Sequence, residues 1–243
     1  MSDESGELEQ QHASRVREMF ATIASRYDLL NHLLSGRMDA RWRRLTARKL
    51  RARLPPGPVQ ILDVACGTGD LSLTLLETIG TAKVVGTDFC RPMLNVAARK
   101  LADRQSAIPL TEGDAMRLPF LERSFDGVTI AFGLRNLANA EGGLLEIFKV
   151  LKPGGSVAVL EFSKPVVPGF SFLFDVYFTK VLPLLGGLIS GSRSAYQYLP
   201  DSVARFPDQT ELANLMQRIG FADVHYQNLT GGIAALHLGK RPQ

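Results

Sequence analysis

The chain is poor in cysteine: of its 243 residues only Cys66 and Cys90 are cysteines. Two are too few for a disulfide framework, and neither has cysteine or histidine partners at metal spacing, so neither disulfides nor structural zinc, nor any other metal, is expected. Both lie near the glycine loop discussed below and read as small packing residues rather than redox or nucleophilic groups. The opening segment MSDESGELEQQH is acidic and polar, without the basic and apolar regions of a secretory signal, which predicts a cytoplasmic protein. Internal repeats and low-complexity tracts are lacking. So is an uninterrupted hydrophobic run: Phe170 to Gly191 is broken by Asp175, Lys180, Pro183 and Gly186-Gly187 within about the 20 residues that a membrane span needs. Acidic charge is also short, 24 Asp and Glu against 28 Lys and Arg, a net charge of +4. That excess points weakly to an anionic partner such as RNA or a membrane surface.

What is present suffices for one substantial core. Residues 1–13 read as a disordered tail, 14–58 as an N-terminal helical cap and linker, and 59–243 as the core, with an apolar insertion over 164–207. The cap is helical from Ser14 to Leu54, broken at Ser35-Gly36, and Pro55-Pro56-Gly57-Pro58 forces the linker. Within the cap, RWRRLTARKLRAR from Arg41 to Arg53 interleaves Trp42, Leu45 and Leu50 with cations. It reads either as a solvated helix face packed on the core through its apolar residues, or as a basic amphipathic helix at a membrane surface.

In the core, apolar runs at Val59–Val64, Lys83–Thr87, Ile108–Thr111, Phe125–Phe132 and Ser156–Phe162 alternate with helical stretches, which predicts a parallel sheet covered on both faces. Lys152-Pro153-Gly154-Gly155 reads as the turn that ends a helix and launches the fifth strand. Val224–Leu229 and Ile233–Leu238 flank Thr230-Gly231-Gly232 and read as a hairpin, so the sheet ends antiparallel. In the insertion, Phe170, Phe174 and Phe178 recur on one helix face, suited to a lid or wall for an apolar substrate, or to packing on the sheet.

The run from Ile61 to Ser72, ILDVACGTGDLS, places Gly67 and Gly69 where a buried strand turns into a helix, and Asp88 ends the next strand 21 residues after Gly67. Glycine lets backbone N–H groups approach a ligand, and a carboxylate at that distance accepts both ribose hydroxyls of a nucleoside. A dinucleotide is disfavoured: Ser72 replaces the third glycine, and Asp70 sits where a pyrophosphate would otherwise meet the helix N-terminus. S-adenosylmethionine has no phosphate, and Asp63 and Asp70 suit its cationic end. Asp114 ends the third strand, where it accepts from the adenine amino group while Ala115 borders the ring, or caps the next helix.

Several segments carry a resemblance: MFATIASRYDLLN at Met19–Asn31, LDVACGTGDL at Leu62–Leu71, FGLRNL at Phe132–Leu137, FKVLKPGG at Phe148–Gly155, EFSKP at Glu161–Pro165, YQYLPDSVARFPDQ at Tyr196–Gln209 and LTGGIAALHLG at Leu229–Gly239. On these the chain resembles the bacterial quinone-ring C-methyltransferases that convert demethylmenaquinol to menaquinol, with their ubiquinone-pathway relatives. The resemblance implies an α/β, Rossmann-like class I methyltransferase with a mostly parallel seven-stranded sheet. It also implies a lipid quinol substrate and cofactor contacts at Thr68, Asp88, Asp114 and Ala115. Some ubiquinone-pathway members carry serine just before FGLRN; Ala131 stands there, which favours the menaquinone branch.

Methyl transfer to a ring carbon needs an electron-rich hydroquinone, orientation, and a route for the phenolic proton. Arg135 is expected to stabilise the developing phenolate, directly or through water, since guanidinium stays protonated. Tyr27, Asp28 and His32, from the cap, are candidates for proton acceptance or substrate positioning; Asn136 and Glu161 are lesser ones, and a Glu161–Arg135 salt bridge would explain both structurally. No metal or covalent nucleophile is required. An RNA methyltransferase is the competing reading, but a DPPY-type signature, a Pro-Cys nucleophile and an RNA-binding module are all missing, so no nucleic-acid partner is expected. Peripheral membrane contact and a homodimer both stay open.

Overall fold

A computed structural model describes residues 2–29, 35, 37–167 and 193–243. Helix α1 (Ser2–Ile23) runs into a 3-10 turn, Ala24–Arg26, and α2 (Met38–Arg51) completes the N-terminal part. The core then alternates: β1 (Val59–Val64), α3 (Asp70–Thr78), β2 (Ala82–Asp88), α4 (Arg91–Asp103), β3 (Leu110–Glu112), β4 (Phe125–Ala131), α5 (Ala140–Val150) and β5 (Leu151–Phe162). It closes with α6 (Arg193–Arg205), α7 (Gln209–Ile219), β6 (Ala222–Leu229) and β7 (Ala234–Lys240).

The sheet has seven strands in the order β3-β2-β1-β4-β5-β7-β6. The first five are parallel, and β7 pairs antiparallel with β5 and with β6. Successive residues of a strand face opposite sides, and both sides of β1 are apolar: Val59 and Ile61 join one buried cluster with Trp42, Leu50 and Leu75, while Leu62 and Val64 join another with Leu144, Ile147 and Leu212. This is why the strands read as continuous apolar runs rather than alternating ones. Entry into α7 is fixed by a capping box, in which Asp208 accepts the Glu211 backbone N–H and Glu211 accepts that of Asp208.

Three boundaries differ from the sequence reading. Residues 1–13, expected as a disordered tail, are helical from Ser2; they hold three Glu and two Gln, both good helix formers, and one face covers the cavity described below. The fifth strand starts at Leu151, not Ser156: Leu151 pairs with Phe125, the chain bulges through the Lys-Pro-Gly-Gly turn, and pairing resumes at Ser156 opposite Gly127. The third strand is only three residues, Leu110–Glu112, since β2 alone flanks it. Phe170, Phe174 and Phe178 of the insertion lie outside the described residues.

Candidate functional site

Strand order reverses between β1 and β4, and the crevice beyond their carboxyl ends is the usual ligand position in such sheets. A cavity of about 260 Å³ occupies it. Its floor comes from Ala65, Gly67, Asp88, Gly113, Asp114, Ala115 and Phe132, and its roof from Glu9, Gln10, Ala13 and Phe20 of α1. Backbone conformation marks the crevice: Ala65 and Phe132, just past the two strands, have φ of 51° and 56°, a region that side-chain-bearing residues seldom occupy. The cofactor loop uses the same region at Gly67 and Gly69, with φ of 56° and 82°, where glycine adopts it without strain.

Asp88 is the polar centre of this floor. The Gly67 N–H donates to its Oδ2 and the Cys90 N–H to its Oδ1, each at 2.8 Å. The Phe89 N–H is a third backbone donor, and a carboxylate offers about four acceptor positions, so acceptor capacity remains for hydroxyls on the cavity side. Burial pushes its pKa up to about 6, against the lowering effect of those N–H groups. Asp114 accepts the Met116 N–H through Oδ1 at 2.8 Å, leaving Oδ2 for a ligand amino group, and buried Ala115 adds a flat apolar surface. An unphosphorylated nucleoside fits these groups: a diol acceptor, an amino-group acceptor and a glycine loop with no cation on the cavity wall.

The remaining acids are placed differently from expectation. Asp63 is buried off the cavity wall and accepts from the Ser72 hydroxyl at 2.6 Å and the Thr129 hydroxyl at 2.8 Å, tying α3 to β4. Burial raises its pKa to about 6. Asp70, also off the wall, pairs with Lys100 at 2.6 Å and Arg43 at 3.2 Å, so its charge is compensated within the protein. The Thr68 hydroxyl donates to Asp28 Oδ1 at 2.5 Å, and Asp28 Oδ2 meets Lys100 at 2.5 Å. Tyr27 lines the cavity, edge-on to Phe20. His32 lies outside the described residues. Cys66 and Cys90 carry no disulfide, and burial raises both thiol pKa values, in keeping with packing roles.

Past β4, the 3-10 turn Leu134–Asn136 carries Arg135. Its Nη1 pairs with Glu161 Oε1 at 2.5 Å and donates to the Phe132 carbonyl at 2.7 Å, and its guanidinium lies 5.1 Å from the Phe162 ring centre. The two side chains are 6% and 1% exposed. Phe132, Phe162 and Trp42 form an aromatic wall beside the pair, and the Trp42 indole donates to the Thr230 hydroxyl. Three buried polar atoms here have no protein partner: Arg135 Nε, Asn136 Oδ1 and Tyr198 Oη. Burial raises the Tyr198 pKa while nearby Arg135 lowers it.

Sequence reasoning missed the α1 roof, Lys100 and Tyr198. Glu9, Gln10 and Ala13 belong to a polar stretch without motif, Lys100 sits 30 residues beyond Asp70, and Tyr198 lies in a matched segment but was assigned no role.

Known proteins share this fold and sequence. The solved [4+2]-cyclase SpnF superposes with a TM-score of 0.68 over 93% of this chain and 95% of its own, at 17% identity. A possible histamine N-methyltransferase from Thermotoga maritima gives 0.63 over 93% and 99%, at 19% identity. These likenesses concern the fold alone. Among curated proteins, the demethylmenaquinone methyltransferase of Thermus thermophilus is 51% identical over 92% of this chain and all of its own length. That of Desulfitobacterium hafniense is 44% identical over 95% and 91%. A ubiquinone/menaquinone biosynthesis C-methyltransferase UbiE from Geobacter is 44% identical over 93% and 96%. With the profile of the family matching residues 8–241, the chain belongs to the ubiE/COQ5 methyltransferase family.

Proposed function

We propose that this methyltransferase methylates a ring carbon of a prenylated quinol, converting demethylmenaquinol to menaquinol, with S-adenosylmethionine as methyl donor. The observation that carries the acceptor reading is a group of buried polar atoms with no hydrogen-bond partner among the described residues: Arg135 Nε beside Phe162, Asn136 Oδ1 beside Phe132, and Tyr198 Oη near Arg135. Buried polar atoms are nearly always hydrogen-bonded. One donor, one acceptor and one phenol in an aromatic surround suit a flat ring bearing hydroxyls. The curated names of the relatives support a quinol, and Ala131 keeps the menaquinone branch ahead of the benzoquinol of ubiquinone synthesis.

S-adenosylmethionine supplies an electrophilic methyl group on its sulfonium. Asp88 and Asp114 hold the nucleoside, with Gly67, Gly69 and Ala115 shaping the cradle; Thr68 and Asp70 act through the loop, and Asp63 braces it. Arg135, held by Glu161, presents Nε toward the phenolic oxygen as negative charge grows there. Asn136 accepts the hydroxyl proton's hydrogen bond and fixes the ring. Tyr27 and the α1 roof exclude water, which strengthens these interactions.

The same reading places the protein peripherally at the inner, cytoplasmic face of a membrane. No helix among the described residues is long and apolar enough to cross one. Along α2 and its entry, Arg37, Arg41, Arg44, Arg48 and Arg51 recur at helical spacing, and none pairs with an acid among the described residues. Buried Trp42, Ala47 and Leu50 face the core from the other side of this helix. A one-sided cationic ridge suits anionic headgroups better than a base-reading interface. The decisive experiment is quinone analysis of cells lacking the protein, paired with methyl transfer from labelled cofactor to demethylmenaquinol by the purified chain. A ring-demethylated naphthoquinone is expected to accumulate; unchanged menaquinone overturns the substrate.

A further inference from the structure

Lys100 on α4 belongs to no motif and does not line the cavity, yet it stands at the centre of a polar cluster. Its ammonium meets Asp28 Oδ2 at 2.5 Å, Asp70 Oδ1 at 2.6 Å and the Thr68 hydroxyl oxygen at 3.3 Å. Thr68 in turn donates to the other oxygen of Asp28. Asp70 continues to Arg43, Arg43 to Asp39 at 2.7 Å, and Asp39 accepts the Ser35 hydroxyl at 2.6 Å. The cluster therefore joins three parts of the chain that are remote in sequence: the segment after α1, the start of α2, and the glycine loop with α3. Lys100, Asp28 and Asp70 are between 21% and 27% exposed, shielded enough for their charges to interact strongly.

The position of this cluster bears on how a ligand enters. Because α1 roofs the cavity, lifting that helix widens the way in for a molecule on the floor. Helix α1 is held partly by apolar packing, with Val16 and Ile23 buried and Phe20 and Ala21 against Cys90 and Met93. Its polar contacts include His12 to the Asn136 carbonyl at 3.3 Å, the Cys90 thiol to the Arg17 carbonyl at 3.7 Å, and the Arg17 guanidinium 5.3 Å from the Phe89 ring. The junction at Asp28 adds a charged fastening to this packing. It also depends on Lys100 in a particular way. Among the described residues Arg43 joins Asp39 to Asp70, and Lys100 bridges Asp70 to Asp28. Without it two carboxylates would face each other across the seam between cap and loop, and like charges at that distance repel.

We propose that Lys100 is a positioning residue that latches the N-terminal cap over the glycine loop and so sets how fast the methyl donor exchanges. The proposal rests on reading the cavity as the cofactor site. Asp28 is accordingly the cap's half of the latch rather than a proton acceptor, and Thr68 passes its position to the loop.

The test compares Lys100→Met, Lys100→Arg and the double variant Lys100→Met/Asp28→Asn with the wild-type chain. Lys100→Met should speed dissociation of S-adenosylmethionine and raise its KM roughly tenfold, with kcat at saturation changed less than about threefold. Trypsin should cut the unliganded cap at Arg15, Arg17 or Arg26 about tenfold faster, a readout that needs no turnover. Lys100→Arg should restore both values, and the double variant should recover part of each, because removing the Asp28 charge relieves the repulsion. A merely structural lysine would leave the double variant no better than Lys100→Met. Wild-type exchange and wild-type cleavage in Lys100→Met overturn the latch, as does equal damage in the single and double variants. If the wild-type chain does not bind S-adenosylmethionine, the cofactor reading fails instead, and cleavage of the unliganded cap still decides the latch.

Discussion

At the residue scale the site is run by two buried groups whose charge has a cost. On the proposed reading Asp88, pushed up to about 6 by burial, accepts both hydroxyls of a ribose best as the ionised carboxylate. Its raised pKa means that ionisation costs the unliganded fold stability as pH rises through about 6, and a ligand donating hydroxyls offsets that cost. Affinity for S-adenosylmethionine should therefore weaken about tenfold between pH 8 and pH 5, and binding at pH 6 should release a proton to solution. Titration calorimetry checks both, and Asp88→Asn should flatten the profile while weakening binding throughout. Arg135 differs, being held by Glu161 in a nearly dry pair. Arg135→Ala should lower kcat on the order of 100-fold and leave cofactor affinity within about threefold. Because that change strands the Glu161 carboxylate, the Arg135→Ala/Glu161→Ala variant serves as control; it should fold better and stay as inactive. The placement of Asp88, Asp114 and Gly67 around one cavity was legible in sequence because it follows from local spacing along strands and turns. The Arg135–Glu161 ion pair was legible as well. The partners of Asp63 and Asp70 were not, since Thr129, Arg43 and Lys100 reach them only through packing of separate elements.

At the element scale, α2 has two faces with separate tasks. One buries Trp42, Ala47 and Leu50; the other carries the arginine ridge. Each basic residue near an anionic surface contributes about 1 kcal/mol, so Arg41→Gln/Arg44→Gln/Arg48→Gln should weaken partition to phosphatidylglycerol vesicles on the order of 100-fold. Cosedimentation measures it, with activity on a soluble short-tail quinol unchanged. Salt-sensitive RNA binding with no vesicle binding would reassign the ridge. Strands and the final hairpin were readable because apolar runs and Thr-Gly-Gly punctuation are local signals. Helix α1 was misread because polar composition looks the same in a tail as in a helix that lies over a cavity; only the cavity distinguishes them.

At the scale of the whole molecule, the sheet positions everything and selects nothing. A cyclase shares it, so acceptor chemistry resides in what the fold hangs at the carboxyl ends of β1, β4 and β5. The core holds opposed acid responses. His237, buried against the Gln209 carbonyl, is pushed down to about 4, so its contribution to stability is present above pH 6.5 and lost as pH falls toward 4. Asp63 and Asp88, raised to about 6, lose theirs as pH rises over nearly the same interval. His237→Gln removes one arm, and relative to wild type it should gain roughly 2 kcal/mol between pH 8 and pH 5, read by calorimetric melting.

The chain contains a single tryptophan, and it is Trp42, packed near Phe132 and Phe162 with its indole N–H on Thr230. Next to Arg43 in sequence, and beside Phe132 of the cavity floor, this indole is a built-in optical probe. Its emission reports on the aromatic wall with no competing tryptophan signal, so quinol docking and cap movement can be followed in the unlabelled protein on the millisecond scale.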